Sequence, residues 1–174
     1  MTDGLLFDFI GTQNAFSSVC ANRDKDSCHI VLTNKLFATF DRDMRTHIRA
    51  AIYSFPSVIS TSGIVEGPAK PRQYYFYKQK YASVGMWNIE EEKVKNKFRG
   101  RFIDYGDRRI GGVLKGYLAQ AVFFYILGEP FCAQKGCRLF NAHWQEDLIY
   151  SQLKNAAFCK KHQALLKTLR HKCA

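Results

Sequence analysis

The chain has 174 residues, 47% of them hydrophobic and 14% aromatic, with a formal net charge of +11. That composition excludes disorder over most of the length and predicts one domain with a substantial core. The positive balance favours an acidic partner such as RNA, DNA, an anionic membrane surface or an acidic protein, although the basic residues are spread along the chain.

In chain order, the opening MTDGLLFDFIGTQ places Asp3 and Asp8 where a secretory signal carries positive charge. Leu5, Leu6, Phe9 and Ile10 could open a helix, and residues 1–27 read as an N-terminal extension to a domain spanning 28–174. Cys28-His-Ile-Val-Leu-Thr33 reads as a buried strand, followed by Ala50–Ser54 and Ser57–Ser62 with Pro56 between them. Gly63, Gly67, Pro68 and Pro71 mark a loop. Gln73–Tyr81, QYYFYKQKY, reads as a strand or hairpin arm because tyrosine is a good strand former. Ile89–Lys97 is charged and reads as a short exposed helix.

The clearest helix covers Asp107–Leu127. Apolar residues at Ile110, Val113, Leu114, Tyr117, Leu118, Ala121, Val122 and Tyr125 follow the helical period. Asp107 is the expected N-cap, and Gly128 and Pro130 the expected stop. The run Tyr117–Leu127 is too short to span a bilayer, so no membrane partner is expected. Two more helices are expected, from Asn141 and from Phe158 to Arg170. Strands early and helices late predict an α+β fold.

Six cysteines in a chain read as cytoplasmic argue for metal rather than disulfides. Cys132-x4-Cys137 and Cys159-x2-His162 are separated by 21 residues. Two short ligand pairs of this kind suit tetrahedral zinc, with Gly136 helping the first loop to bend. Four protein ligands leave no open position, so one structural Zn2+ held across 132–162 is expected. A helix N-terminus at Cys159 would favour its thiolate. Cys20 reads as core, Cys28-His29 as a poor chelating pair within a strand, and His171 and Cys173 as part of a basic tail.

Weaker candidates surround this site. His143 and Glu146, three apart on the expected second helix, could face one cleft together with Asp147, and Tyr125 could donate a hydrogen bond there. Lys70, Arg72, Lys78 and Lys80 interleave with aromatic rings, and Lys160 and Lys161 follow Cys159. Such surfaces suit single-stranded nucleic acid, though half the rings of a strand would point inward. Arg99, Arg101, Arg108 and Arg109 form another basic cluster, and no recognised RNA-binding motif accompanies any of them.

Taken together, Gly128, Cys132-x4-Cys137 and Phe158-Cys159-x2-His162 resemble the layout of archaemetzincins, zinc-dependent metallopeptidases of the zincin fold. In that family HExxH on a helix is followed by a glycine, a third histidine, Cys-x4-Cys-x-Met and a downstream cysteine pair. "CHIVLTNKLFATFD" and "AAIYSFPSVISTSGI" are similar to the family's strands. "STSGIVEGPAKPR", "RFIDYGDRRI" and "GEPFCAQKGCRLFNAHWQED" resemble still more closely an uncharacterised archaeal group classed with metallopeptidases by analogy. The resemblance covers about residues 28 to 165 and implies a zincin-like fold, with a twisted sheet over 28–81 packed on the 107–127 helix.

The chain departs from the family where the chemistry sits. Ala121-Val-Phe-Phe-Tyr125 stands in place of HExxH, Phe131 in place of the third histidine, and Leu139 in place of the methionine. No imidazole ligand and no glutamate base remains there. The expectation is therefore a non-catalytic zinc protein serving a protein or ribonucleoprotein complex, with a small-molecule substrate disfavoured. The alternatives are a hydrolase with an unrecognised site and an RNA-binding protein using its basic surface.

Overall fold

The computed structural model describes residues 6–20, 27–40 and 44–172, with side chains as far as 169. The architecture is mixed α+β. Strands β1 (Leu6–Asp8), β3 (Leu36–Phe40) and β4 (Thr46–Arg49) form one sheet, and β2 (Ile30–Thr33), β6 (Ser57–Ser60) and β5 (Ala51–Ile52) form another. β1 runs parallel to β3 and β2 parallel to β6, whereas β4 and β5 are antiparallel to their neighbours. The two sheets share continuous backbone: β2 passes into β3 across Asn34 and Lys35, and β4 into β5 across Ala50.

Helices α1 (Phe9–Val19), α2 (Thr61–Glu66), α3 (Arg72–Ser83), α4 (Trp87–Lys97), α5 (Ile110–Leu127), α6 (Gln145–Ile149) and α7 (Lys160–Lys172) complete the fold, with a π-helical turn at Tyr150–Asn155. The single expected sheet over 28–81 is thus two three-stranded sheets that end at Ser60. The expected strand at 57–62 stops early because Ser60 caps α2. Its Oγ accepts the Gly63 N–H at 2.9 Å and donates to the Lys35 carbonyl at 2.6 Å, joining the second sheet to the inter-sheet link. The expected loop from Gly63 begins only after α2.

The expected strand at 73–81 is α3. Tyr74, Tyr77 and Tyr81 lie three and four residues apart, so a helix turns all three rings towards Val94, Phe98 and Phe102. This helical period, with α4 supplying the opposite wall, outweighs the strand preference of tyrosine.

α5 is the core helix. Six of its 18 residues are buried, and Val113, Tyr117 and Ala121 pack with Ile59, Ile64, Val65, Ile103, Leu148 and Ile149. By length and composition it is also apolar enough to cross a membrane. Asp107 does not cap it. Instead the carboxylate accepts the Arg109 N–H and grips the Arg109 guanidinium, which holds Asp107 below the usual carboxylate range, and the helix begins at Ile110. Gly128 ends it at φ 73° as expected. The second expected helix starts at Gln145 rather than Asn141, and the third at Lys160 rather than Phe158.

Two buried amides stitch these layers. The Gln145 side chain accepts the Ile103 N–H and donates to the Ile64 and Val65 carbonyls, joining α6 to the end of α2. The Gln152 side chain donates to the Arg138 carbonyl at 2.6 Å and lies against Gly116, where a Cβ would fall 1.6 Å from its Oε1. Only a glycine on α5 lets the π-helical turn approach that closely.

The tightest backbone contact is at Gly63, where a Cβ would lie 2.2 Å from the Arg49 carbonyl oxygen and 2.9 Å from the Ala50 Cα. Neither atom can swing away. Gly63→Ala should therefore destabilise the protein by at least about 3 kcal/mol, read as a lower urea midpoint. An unchanged midpoint would show that α2 can lift from β4 without penalty.

Candidate metal centre

The turn beyond α5 is built by its own backbone. Cys132 N–H donates to the Leu139 carbonyl at 2.9 Å, Cys137 N–H to Gln134 at 2.8 Å, and Phe140 N–H to Cys137 at 2.9 Å. Arg138 N–H bonds the Ala157 carbonyl at 2.8 Å, which lays the segment before α7 beside Cys137. The Asn155 amide also donates to the Gly136 carbonyl. Gly136 does not use a left-handed φ, so the turn follows from these hydrogen bonds rather than from glycine freedom. Ala156, at φ 49°, makes the reversal that delivers Phe158 and Cys159 to the site.

Cys132, Cys137, Cys159 and His162 converge there, with all four ligand atoms within 4.8 Å of one another. His162 Nδ1 lies 3.1 Å from Cys159 Sγ and 3.5 Å from Cys137 Sγ, and Cys132 Sγ lies 4.0 Å from Cys159 Sγ. Zinc–sulfur bonds of about 2.3 Å and zinc–nitrogen bonds of about 2.0 Å imply tetrahedron edges of roughly 3.5–3.8 Å. The cluster could hold a metal ion with only small adjustments. Among the described residues it is the one such group of His, Cys, Asp and Glu side chains.

The surroundings suit thiolate and imidazole ligands. The Gln134 N–H points at Cys132 Sγ at 3.4 Å, and the Cys159 N–H at Cys137 Sγ at 3.5 Å. Phe123 of α5 packs edge-on against the His162 ring and lies against Phe158, with Leu139, Leu165 and Leu166 completing an apolar shell. Burial pushes the Cys137 thiol up to about 11. Burial also acts against the Cys159 thiolate, but the His162 and Lys161 backbone N–H groups at the start of α7 and the neighbouring thiols hold its pKa below the ordinary range. Burial, followed by the Lys161 charge, lowers the His162 pKa, which favours the neutral, ligating imidazole.

The other candidates scatter. His143 precedes α6 and lines a cleft of about 170 Å³ with Arg49, Tyr53, Tyr117, Phe131 and Asn141. Glu146 is paired instead with Arg101 at 2.9 Å, and Tyr125 lies outside that cleft. Val122 and Tyr125 are exposed on α5, whereas Ala121 and Phe123 are buried. Lys70 is turned inward to Glu66 and the rings of Tyr74 and Phe102. Arg72, Lys78 and Lys80 lie over Trp144, Trp87 and Tyr81, and Lys160 and Lys161 are exposed at the start of α7. Cys28 and His29 precede β2 rather than lying within it; His171 and Cys173 fall outside the described side chains.

Sequence reasoning missed the polar thread beside the cleft. The Tyr53 hydroxyl donates to Gln120 Oε1 at 2.5 Å, and Gln120 Nε2 donates to the Phe140 carbonyl at 3.2 Å. Gln120 alone carried a local signal, as a polar side chain within the apolar second half of α5. Arg49 and Asn141 carried none, because the segments lining the cleft are far apart in the chain.

Two outcomes follow from this geometry. Cys137→Ser should abolish stoichiometric metal binding, lower the thermal midpoint and expose the C-terminal third to protease first, because a metal clip contributes on the order of 10 kcal/mol. Metal content and midpoint both unchanged would contradict a four-ligand site. The Cys137 proton must also leave when the ion binds, so uptake at neutral pH should release protons. Apparent affinity should fall by about tenfold or more per pH unit on acidification, measured by chelator competition.

No curated protein and no solved structure matches the chain. Residues 1–169 match the model of the Probable metallopeptidase family (DUF6775). The chain belongs to that family, and the Cys3His cluster beyond its core helix is a site at which a member of it could hold a metal ion.

Proposed function

We propose that this protein is a zincin-like, zinc-binding member of its family in which the ion is structural. In this reading it serves as a cytoplasmic accessory or binding subunit for a protein or ribonucleoprotein complex. The observation that supports it is the convergence of three thiols and one imidazole, a donor set that would fill a zinc tetrahedron and leave no position for a reactive water. Thiolate-rich sets favour zinc over magnesium or calcium. The stretch 121–125 of α5, where the archaemetzincin resemblance places HExxH, presents Ala, Val, Phe, Phe and Tyr, with no carboxylate or imidazole.

A second reading keeps a hydrolase. The family description favours it, and so does the separate cleft that contains His143 and Arg49. Binding of RNA through the exposed Lys78, Lys80, Lys160 and Lys161 is a further variant of the accessory role.

Elemental analysis of the purified protein, paired with a peptide-hydrolysis assay, separates the two main readings. One tightly held zinc per chain and no hydrolysis above background are expected. A second, exchangeable metal that restores cleavage would replace the accessory role with an enzyme. For the RNA variant, binding to a single-stranded oligonucleotide should weaken steeply with added salt.

A further inference from the structure

The Cys3His cluster has an inner and an outer half. Cys137 is fully buried against Phe123 and Leu139, and His162 is only 6% exposed, under the edge of the Phe123 ring. Cys132 and Cys159 are only half-buried. This outer pair takes one residue from each segment of the site, Cys132 from the turn after α5 and Cys159 from the position before α7. Their sulfurs lie 4.0 Å apart. A disulfide is about 2.05 Å long, so bonding them takes about 2 Å of closure.

The two halves also differ in how they are held. Cys137 is fixed at its N–H by the Gln134 carbonyl, at its carbonyl by the Phe140 N–H, and at its sulfur by the Cys159 N–H. Cys159 lies in the non-helical stretch 156–159 between the π-helical turn and α7, and Cys132 in an irregular turn, so neither sits inside a rigid element. An oxidant arriving from solvent meets the outer sulfurs first, and each has the other as its nearest partner on that side.

We propose that Cys132 and Cys159 form a reversible oxidation site: hydrogen peroxide joins them as a disulfide, and the ion leaves because only Cys137 and His162 remain to hold it. This inference rests on the reading of the cluster as a structural zinc centre. One outer thiolate attacks a peroxide oxygen; the O–O bond breaks, hydroxide leaves and a sulfenic acid remains. The other outer thiolate attacks that sulfur; the S–S bond forms, the S–O bond breaks and a second hydroxide leaves. The two sulfurs together lose two electrons, and one peroxide becomes two waters after taking two protons from solvent. Zinc keeps its oxidation state throughout. A resolving thiol 4.0 Å away intercepts the sulfenic acid before a second peroxide oxidises it further. A dithiol reverses the step, supplying two electrons and two protons as its own sulfurs become a disulfide.

The test uses the full chain, purified reduced and zinc-loaded, carrying Cys20→Ser, Cys28→Ser and Cys173→Ser, none of which touches the cluster residues. A small molar excess of hydrogen peroxide should release zinc to a chromogenic chelator at least about tenfold faster than the chelator alone does. Mass mapping of unreduced peptides should find a Cys132–Cys159 cross-link that grows in step with the released zinc, and dithiothreitol should restore zinc binding. Should the triple variant fail to fold, the same map on the unaltered chain decides. Zinc retained under peroxide, a cross-link that uses Cys137, or sulfinic and sulfonic acids in place of a disulfide overturns the proposal. A reduced chain that carries no zinc overturns the structural-zinc reading instead, and the cross-link map then still decides the pairing of the outer thiols.

Discussion

The constraint on which the C-terminal third depends is the meeting of three thiols and an imidazole at one point. Cys132 and Cys137 leave the turn after α5, and Cys159 and His162 arrive with the start of α7. The backbone prepares this meeting through the Arg138–Ala157 hydrogen bond and the two N–H groups aimed at sulfur. Those contacts are few. A buried Cys137 prefers its proton, and a cation held by the cluster would make the thiolate favourable. With an ion held there, folding of this region and metal binding would be two aspects of one equilibrium.

α5 lies between the Cys3His cluster and the cleft. Phe123 faces the cluster and packs on His162, while Tyr117 lines the cleft and Gln120 carries the polar thread from Tyr53 to Phe140. Tyr117 and Ala121 also take part in the main core. Packed layers cover only part of the apolar second half of the helix, because Val122, Tyr125, Ile126 and Leu127 are exposed. Gln120 is the polar exception in that half, and both ends of its amide are hydrogen-bonded.

The positive charge of the chain is partly spent inside the structure. Lys70, Lys95, Arg101 and Arg109 each meet a carboxylate, and several other cations lie on aromatic faces of α3 and α4. A basic count alone therefore overstates the surface available to an acidic partner. The interleaved rings and cations of 72–81 belong to α3, which pairs with α4 around an aromatic cluster, and Tyr74 within it is buried.

Local chemistry was enough to group the four residues that converge in the Cys3His cluster and to place the α5 helix and its glycine stop, because short residue spacings, helical periodicity and a C-cap act within a few residues. Local chemistry was also enough to place β2 and α4. Tertiary structure decided what depends on distant partners. It made QYYFYKQKY a helix, because Val94, Phe98 and Phe102 offer a wall for rings at helical spacing. It split the expected sheet at Asn34–Lys35 and Ala50, where Ser60 ties the link, and it separated His143 from Glu146 by giving Arg101 to the latter. The cleft belongs wholly to this second class, since a concave surface assembled from residues 48–51, 53, 67–68, 117, 131 and 141–143 has no signature in any one segment.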